Sequence, residues 1–267
     1  MAHDIASVVD LDRYPLDRPD SKQWRSLVDA CITDLRERGM FELSGFLRPG
    51  VVEGVLDRLV PRIRTAAFEV RREHNIYFLP HVDGLAHDHP ALTRVLTTNR
   101  TLCGDQMFDT ALTDLYEWAP LREFIAATVG LPQLHLMADP LARVNVLGYR
   151  PGEALNWHFD RSEFTTTLLL QAAEHDGVFE YRRGLRTDDD PNHDGVGRLV
   201  AGEDPEVIRR PIEPGALNVF LGRNTAHRVT TVQGTKERMV AVFSFYEQPG
   251  VMFSDEENLG FYGRTAS

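Results

Sequence analysis

Asn156-Trp157-His158-Phe159-Asp160 is the stretch on which the reading of this chain turns. Side chains on an extended segment repeat every second residue, so His158 and Asp160 project to the same side. Trp157, just before His158, reads as core packing. Further on, Ala226-His227-Arg228 offers a second imidazole from a distant strand, and after ten more residues comes Arg238. Two histidines and one carboxylate on one face of a metal leave its opposite face open, and that donor set suits non-haem Fe(II). His-x-Asp alone is a weak signal. The order and spacing of the four elements carry the reading.

Upstream, Tyr149-Arg150-Pro151-Gly152 leads into His158. The run Tyr-x-x-Gly, His-x-Asp, a distal His and a basic residue about one strand later resembles the Fe(II)/2-oxoglutarate-dependent oxygenase superfamily. The resemblance implies that His158, Asp160 and His227 hold Fe(II). It also implies that Arg238 grips the far carboxylate of 2-oxoglutarate, a task that suits a guanidinium fork. Tyr149 and Asn145 are the further cosubstrate-binding candidates. The implied reaction uses O2 and the cosubstrate to hydroxylate an unactivated C–H bond, with release of succinate and CO2.

Three stretches carry a narrower resemblance: Asn156 to Phe164, Gly222 to Val229, and Phe261-Tyr262-Gly263-Arg264. They are similar to the clade of free amino acid hydroxylases related to the amino acid radical halogenases. Halogenases on this scaffold carry a small residue where Asp160 stands, so the carboxylate implies hydroxylation. Lysine-acting members carry an acidic residue just after the iron-binding pair. Arg161 stands there instead, and like-charge repulsion disfavours a lysine substrate. The expected substrate is a small molecule, a neutral or acidic amino acid or a derivative. Arg72, Arg161, Asn224 and Arg264 are the candidates to meet it, each with a plain surface-charge reading beside it. Two alternatives stay open: the same machinery giving desaturation or cyclisation, and a non-catalytic cupin-like binding protein.

The 267 residues can bury a sizeable core, and the whole chain reads as one domain. A formal charge of -11 argues against a nucleic-acid or anionic-membrane partner. Cys31 and Cys103 are too few for a disulfide framework, which fits a reducing compartment. The start, Met1-Ala2-His3-Asp4, lacks a basic region followed by an apolar run, so a cytoplasmic location is expected. The sequence does not fix the oligomeric state, and a homo-oligomer remains open.

The expected fold is α+β with a mainly β core: a double-stranded β-helix (jelly-roll or cupin-like barrel) flanked by N-terminal helices. Residues 1–133 read as an arm and a helical support layer, 134–247 as the β core, and 248–267 as a tail with no clear period. In the first part, Trp24, Leu27, Val28, Cys31, Ile32 and Leu35 fall at helical intervals, with Ser21 or Asp20 to cap the helix and Gly39 to end it. Val51 to Val70 reads as helix, as do the apolar positions of 91–130. His81, Asp83, His87, Asp88 and His89 invite a metal reading, but Gly84 and Pro90 break the run and a solvated loop is expected. In the core, Thr165 to Gln171 has the β-branched density of a central strand. Pro151-Gly152, Asp176-Gly177, Pro214-Gly215 and Gln233-Gly234 mark turns. The polar stretch 182–210 reads as a loop, either a lid over the site or surface decoration.

Overall fold

The alternating segments form strands in a computed structural model that describes residues 3 to 266. Met1 and Ala2, and with them part of the reading of the N-terminus, lie outside the described residues. In chain order the strands are β1 (Met40–Leu43), β2 (Phe68–His74), β3 (Val95–Leu102), β4 (His135–Leu136), β5 (Val144–Tyr149), β6 (Leu155–His158), β7 (Thr165–Gln171), β8 (His175–Asp176), β9 (Phe179–Arg182), β10 (Ile208–Arg210), β11 (Leu217–Phe220), β12 (Ala226–Val229), β13 (Val232–Gln233), β14 (Arg238–Phe243) and β15 (Phe245–Tyr246). A seven-stranded sheet runs β1-β11-β7-β14-β5-β3-β2, and a four-stranded sheet runs β10-β9-β12-β6. Neighbouring strands are antiparallel throughout both sheets.

Period 2 assigns the two faces of the larger sheet different work. Leu168 and Leu170, Val144 and Val146, and Met239, Ala241 and Phe243 face outward into the main core. The helices α1 (Ile5–Val8), α2 (Lys22–Arg38), α3 (Val51–Thr65), α4 (Ala111–Glu117) and α5 (Ala119–Thr128) contribute buried residues to the same core. Ser21 caps α2 through Trp24 N–H, and Gly39 ends it at φ +77°. Residues of the opposite parity, Tyr149, Leu169 and Val240, face inward and pack with Val232 and Leu155. Phe220 of the larger sheet meets Phe179 and His227 of the smaller one, at centroid distances of 5.2 and 4.7 Å. The two sheets therefore sit face to face, with the ligand strands on the inner side of the smaller one.

Four expectations change. The helix from Val51 stops at Thr65, and Phe68–His74 is strand. Val95 and Leu96, spaced like helix residues, open β3, which pairs with both β2 and β5. The N-terminal part thus adds β2 and β3 to the sheet, beside the strand expected from Met40, as well as a helical layer. The polar stretch 182–210 is largely ordered: it holds α6 (His193–Val200), capped by Asn192, and strand β10. Val196 and Leu199 bury themselves against Trp157, Phe159 and Ile76 on the outer side of β6, a second small core. The tail folds into α7 (Asp255–Tyr262), with a capping box between Ser254 and Glu257 and Gly263 as its left-handed end. No helix among the described residues is long and apolar enough to cross a membrane.

Candidate metal centre

Register brings the imidazoles together. His158 on β6 and His227 on β12 are direct cross-strand partners, with ring centroids 4.1 Å apart. Asp160 lies just past the end of β6, where its backbone N–H donates to the Gly222 carbonyl at 3.1 Å. Its Oδ1 is 3.5 Å from Nε2 of each histidine. One ligand atom from each of the three residues falls within 4.8 Å of the others, and no second such group forms among the described residues. The His81 to His89 run contributes no residue to this group.

The ring nitrogens are already sorted for coordination. Nδ1 of His158 lies 2.8 Å from the Asn156 carbonyl, and Nδ1 of His227 lies 3.0 Å from the Thr225 carbonyl. A carbonyl only accepts, so each Nδ1 carries a proton and each Nε2 is the nitrogen turned toward Asp160, the one left to ligate a metal. Asp160 is held as firmly: Thr165 Oγ1 donates to its Oδ2 at 2.5 Å. One carboxylate oxygen is thereby engaged by the protein and the other turned to the histidines. Gly222 makes this fit possible, because a β-carbon there would stand 2.3 Å from Asp160 Oδ2.

With no ion present, burial pushes His158 below the usual histidine range, and the neighbouring His227 adds to that. Burial alone would raise the Asp160 carboxyl, but the two imidazoles, His227 foremost, hold it well below the usual carboxylate range. Burial opposes charge on His227 too, yet the Asp160 carboxylate outweighs it and raises that imidazole. A cation seated here would meet an Asp160 carboxyl already held in its charged form.

Arg238 starts β14 on the inner face, in register with Tyr149. It is 5 % exposed, its side chain makes no hydrogen bond or ion pair, and its Nη1 is buried without a partner. Burial pushes its guanidinium down to about 10. The Tyr149 hydroxyl is also buried and unbonded, with the Asn99 side chain close by but outside hydrogen-bond geometry, and burial raises it to about 12. An uncompensated buried cation costs several kcal/mol, so this pair stands as a cradle for an anion. The residues present fit a facial-triad metal ion and a dicarboxylate.

The other predicted residues divide. Asn145 does not face a free cradle: its Nδ2 donates to Leu141 O at 2.6 Å, and its Oδ1 accepts from Tyr262 at 3.0 Å. Arg161 pairs with Glu257 at 2.7 Å and lies over the Phe253 and Phe261 rings. Arg264 pairs with Asp105 at 2.5 Å. All three, expected at the site, fasten α7 and its flanks to the body. Asn224 donates to Asp188 at 3.4 Å. Arg72 alone of the four substrate candidates has neither a hydrogen bond nor an ion pair; its guanidinium lies over Phe78, whose ring meets His158 edge-on. Thr165 and Gly222 were not foreseen. Their roles arise across a loop, and no local spacing announces them.

No family model matches the chain, and no curated protein matches it. Solved structures do. The non-haem alpha-ketoglutarate-dependent epimerase SnoN from nogalamycin biosynthesis is 15% identical at TM-score 0.58, over 86% of this chain and 89% of that one. The alpha-ketoglutarate-dependent carbocyclase SnoK from the same biosynthesis is 14% identical at TM-score 0.57, over 91% and 94%. A Pseudomonas putida prolyl-4-hydroxylase is 15% identical at TM-score 0.51, over 83% of this chain and all of its own. At these identities the likeness shows the fold, an antiparallel core with flanking helices, which this chain shares with members of the 2-oxoglutarate/Fe(II) oxygenase family.

Proposed function

We propose that the chain is a cytoplasmic Fe(II)/2-oxoglutarate-dependent dioxygenase on a double-stranded β-helix scaffold. It hydroxylates an unactivated C–H bond of a small molecule, a free amino acid or a derivative, with release of succinate and CO2. The observation that carries this reading is Arg238, a buried guanidinium left without a counter-ion on the sheet that faces a pre-sorted His158, Asp160, His227 triad. A purely binding barrel gives no reason to retain that cost. The neighbour SnoN has been solved with Fe3+ and alpha-ketoglutarate, which supports the cofactor reading.

Fe(II) and 2-oxoglutarate, when bound, supply the oxygen chemistry, and the chain supplies placement. His158 and His227 present Nε2, and Asp160 presents one oxygen while Thr165 engages the other. Arg238 and Tyr149 take the far carboxylate of the cosubstrate. Arg72, exposed and without a carboxylate partner over the Phe78 ring, is the residue we assign to a substrate carboxylate, in preference to Arg161, Arg264 and Asn224. Asn145 acts by fixing Tyr262 and not by touching the cosubstrate.

Anaerobic addition of Fe(II) and 2-oxoglutarate tests the machinery: a weak visible charge-transfer band is expected, and its absence returns the chain to a binding barrel. A screen of the twenty amino acids for stimulated succinate release, with mass detection of the product, tests the outcome. Gain of one oxygen is expected. The fold neighbours that epimerise or form a ring give the contrasting readouts: unchanged mass with succinate release, or loss of two hydrogens. Gain of chlorine would overturn the role given to Asp160.

A further inference from the structure

Phe78 sits where a bulky side chain is expensive. Its φ is +55°, in the left-handed region that a β-carbon makes unfavourable. The turn around it is fully built. The Asn75 side chain accepts from Tyr77 and Leu79 N–H and donates to Leu79 O, and Phe78 N–H donates to Asn75 O at 3.1 Å. Ile76 and Tyr77 on the same turn pack into the small core under α6. Phe78 joins none of the apolar clusters.

Its neighbours are those of a site. The ring stacks on His74 at 4.1 Å, meets His158 edge-on at 5.8 Å, and carries the Arg72 guanidinium 4.8 Å above its centre. His74 is spoken for: its Nδ1 bonds the Asn75 carbonyl and its Nε2 the Thr97 hydroxyl, and burial pushes it below the usual histidine range. Arg72 is therefore the available cation of the group. A strained backbone that earns no core packing, next to a metal ligand, marks a side chain placed for a ligand.

We propose that Phe78 is a specificity-determining residue, the aromatic wall of the substrate pocket beside His158, against which a carboxylate-bearing substrate lays its apolar carbons while Arg72 takes the carboxylate. This rests on the function proposed above. The ring sets which carbon chain fits, and its cation–π contact fixes where the guanidinium stands.

Two variants separate the ring from the turn. Phe78→Asn tolerates the left-handed backbone and removes the ring; Phe78→Leu keeps apolar bulk and the strain. The melting temperature of Phe78→Asn is expected at or above that of the parent, and the anaerobic Fe(II)–2-oxoglutarate band unchanged in both. Half-saturation for amino-acid-stimulated succinate release is expected to rise about tenfold in both. A large fall in melting temperature for Phe78→Asn, recovered in Phe78→Leu, would make the ring a packing residue and overturn the assignment. So would an unchanged half-saturation. Failure of the parent to form the band would instead remove the oxygenase reading on which this rests. If the band forms but no amino acid responds, straight-chain monocarboxylates serve as the probe, and equal perturbation of the band in parent and variants overturns the role of Phe78.

Discussion

Two sets of arginines in this molecule look alike in sequence and differ in what they face. Arg161 and Arg264 sit at the joint between α7 and the body, each closed against a carboxylate. Arg100, only 12 % exposed, is closed against two, Glu153 at 2.5 Å and Glu69 at 2.6 Å. Arg238, more deeply buried than any of these, has none. The difference teaches which charges are spent on folding and which are held in reserve. A buried cation with a partner has its desolvation offset within the fold; one without waits for a ligand to offset it. By this measure the inner face between the sheets is the candidate site, and the α7 joint is architecture.

The sharpest break of the comparison is removal of the reserve itself. Asp160→Ala or His227→Ala is expected to abolish metal binding and to lower turnover by about a thousandfold or more. Metal analysis after gel filtration checks the first, and succinate release checks the second. Retention of stoichiometric iron by both variants would place the centre elsewhere.

Next comes the pair Arg238→Met and Arg100→Met. The first is expected to raise half-saturation by 2-oxoglutarate about a hundredfold, because the carboxylate loses a desolvated charge partner. The metal-free protein is expected to melt no lower than the parent, since an uncompensated buried charge has gone. Arg100→Met leaves Glu153 and Glu69 facing an apolar side chain, and about 1–3 kcal/mol of stability is expected to go with it, with little change toward 2-oxoglutarate. Chemical denaturation of both variants decides. Equal destabilisation would erase the distinction between spent and reserved cations.

A smaller effect is expected at Thr165. Thr165→Val removes the hydroxyl that engages Asp160 Oδ2 and keeps the β-branched shape suited to β7. Fe(II) affinity is expected to fall about tenfold, as for other outer partners of metal ligands. Titration against a competing chelator reads it. An unchanged affinity would mean that the strand alone positions the carboxylate.

The inner face was legible in the sequence because strands write it with period 2. His158, Asp160, His227, Arg238 and Tyr149 stand on or beside strands whose ends the Pro-Gly and Gln-Gly turns mark. β3 was misread because Leu92, Val95 and Leu96 fall three and four apart like a helix face, although Val95, Thr97, Thr98 and Thr101 carry the β-branched density of a strand. α6 was hidden by Gly195 and Gly197, poor helix formers. The space is short at both, where a β-carbon would meet Asn192 at 2.4 Å and His89 at 3.1 Å. α7 had a readable capping box, yet Leu259 and Phe261 remain exposed, so no apolar stripe betrayed it. The roles of Asn145, Arg161 and Arg264 were not legible at all. Which partner a polar side chain finds depends on where a distant helix docks.

Arg161 gives the least effect and the finest test. Its position just after Asp160 recommends it for the substrate, but its side chain is 67 % exposed and engaged by Glu257, and the Phe253 and Phe261 rings lie beneath it. An ion pair so open to water is screened and returns little stability. Arg161→Gln is therefore expected to change melting only marginally and to leave the half-saturating amino acid concentration where it was. Arg72→Gln, by contrast, is expected to raise that concentration, because no protein carboxylate competes for Arg72. Should Arg161→Gln raise it instead, the Glu257 pair would have to open when substrate binds. α7 would then belong to the site, and the Arg161 charge would move from the spent class to the reserved one.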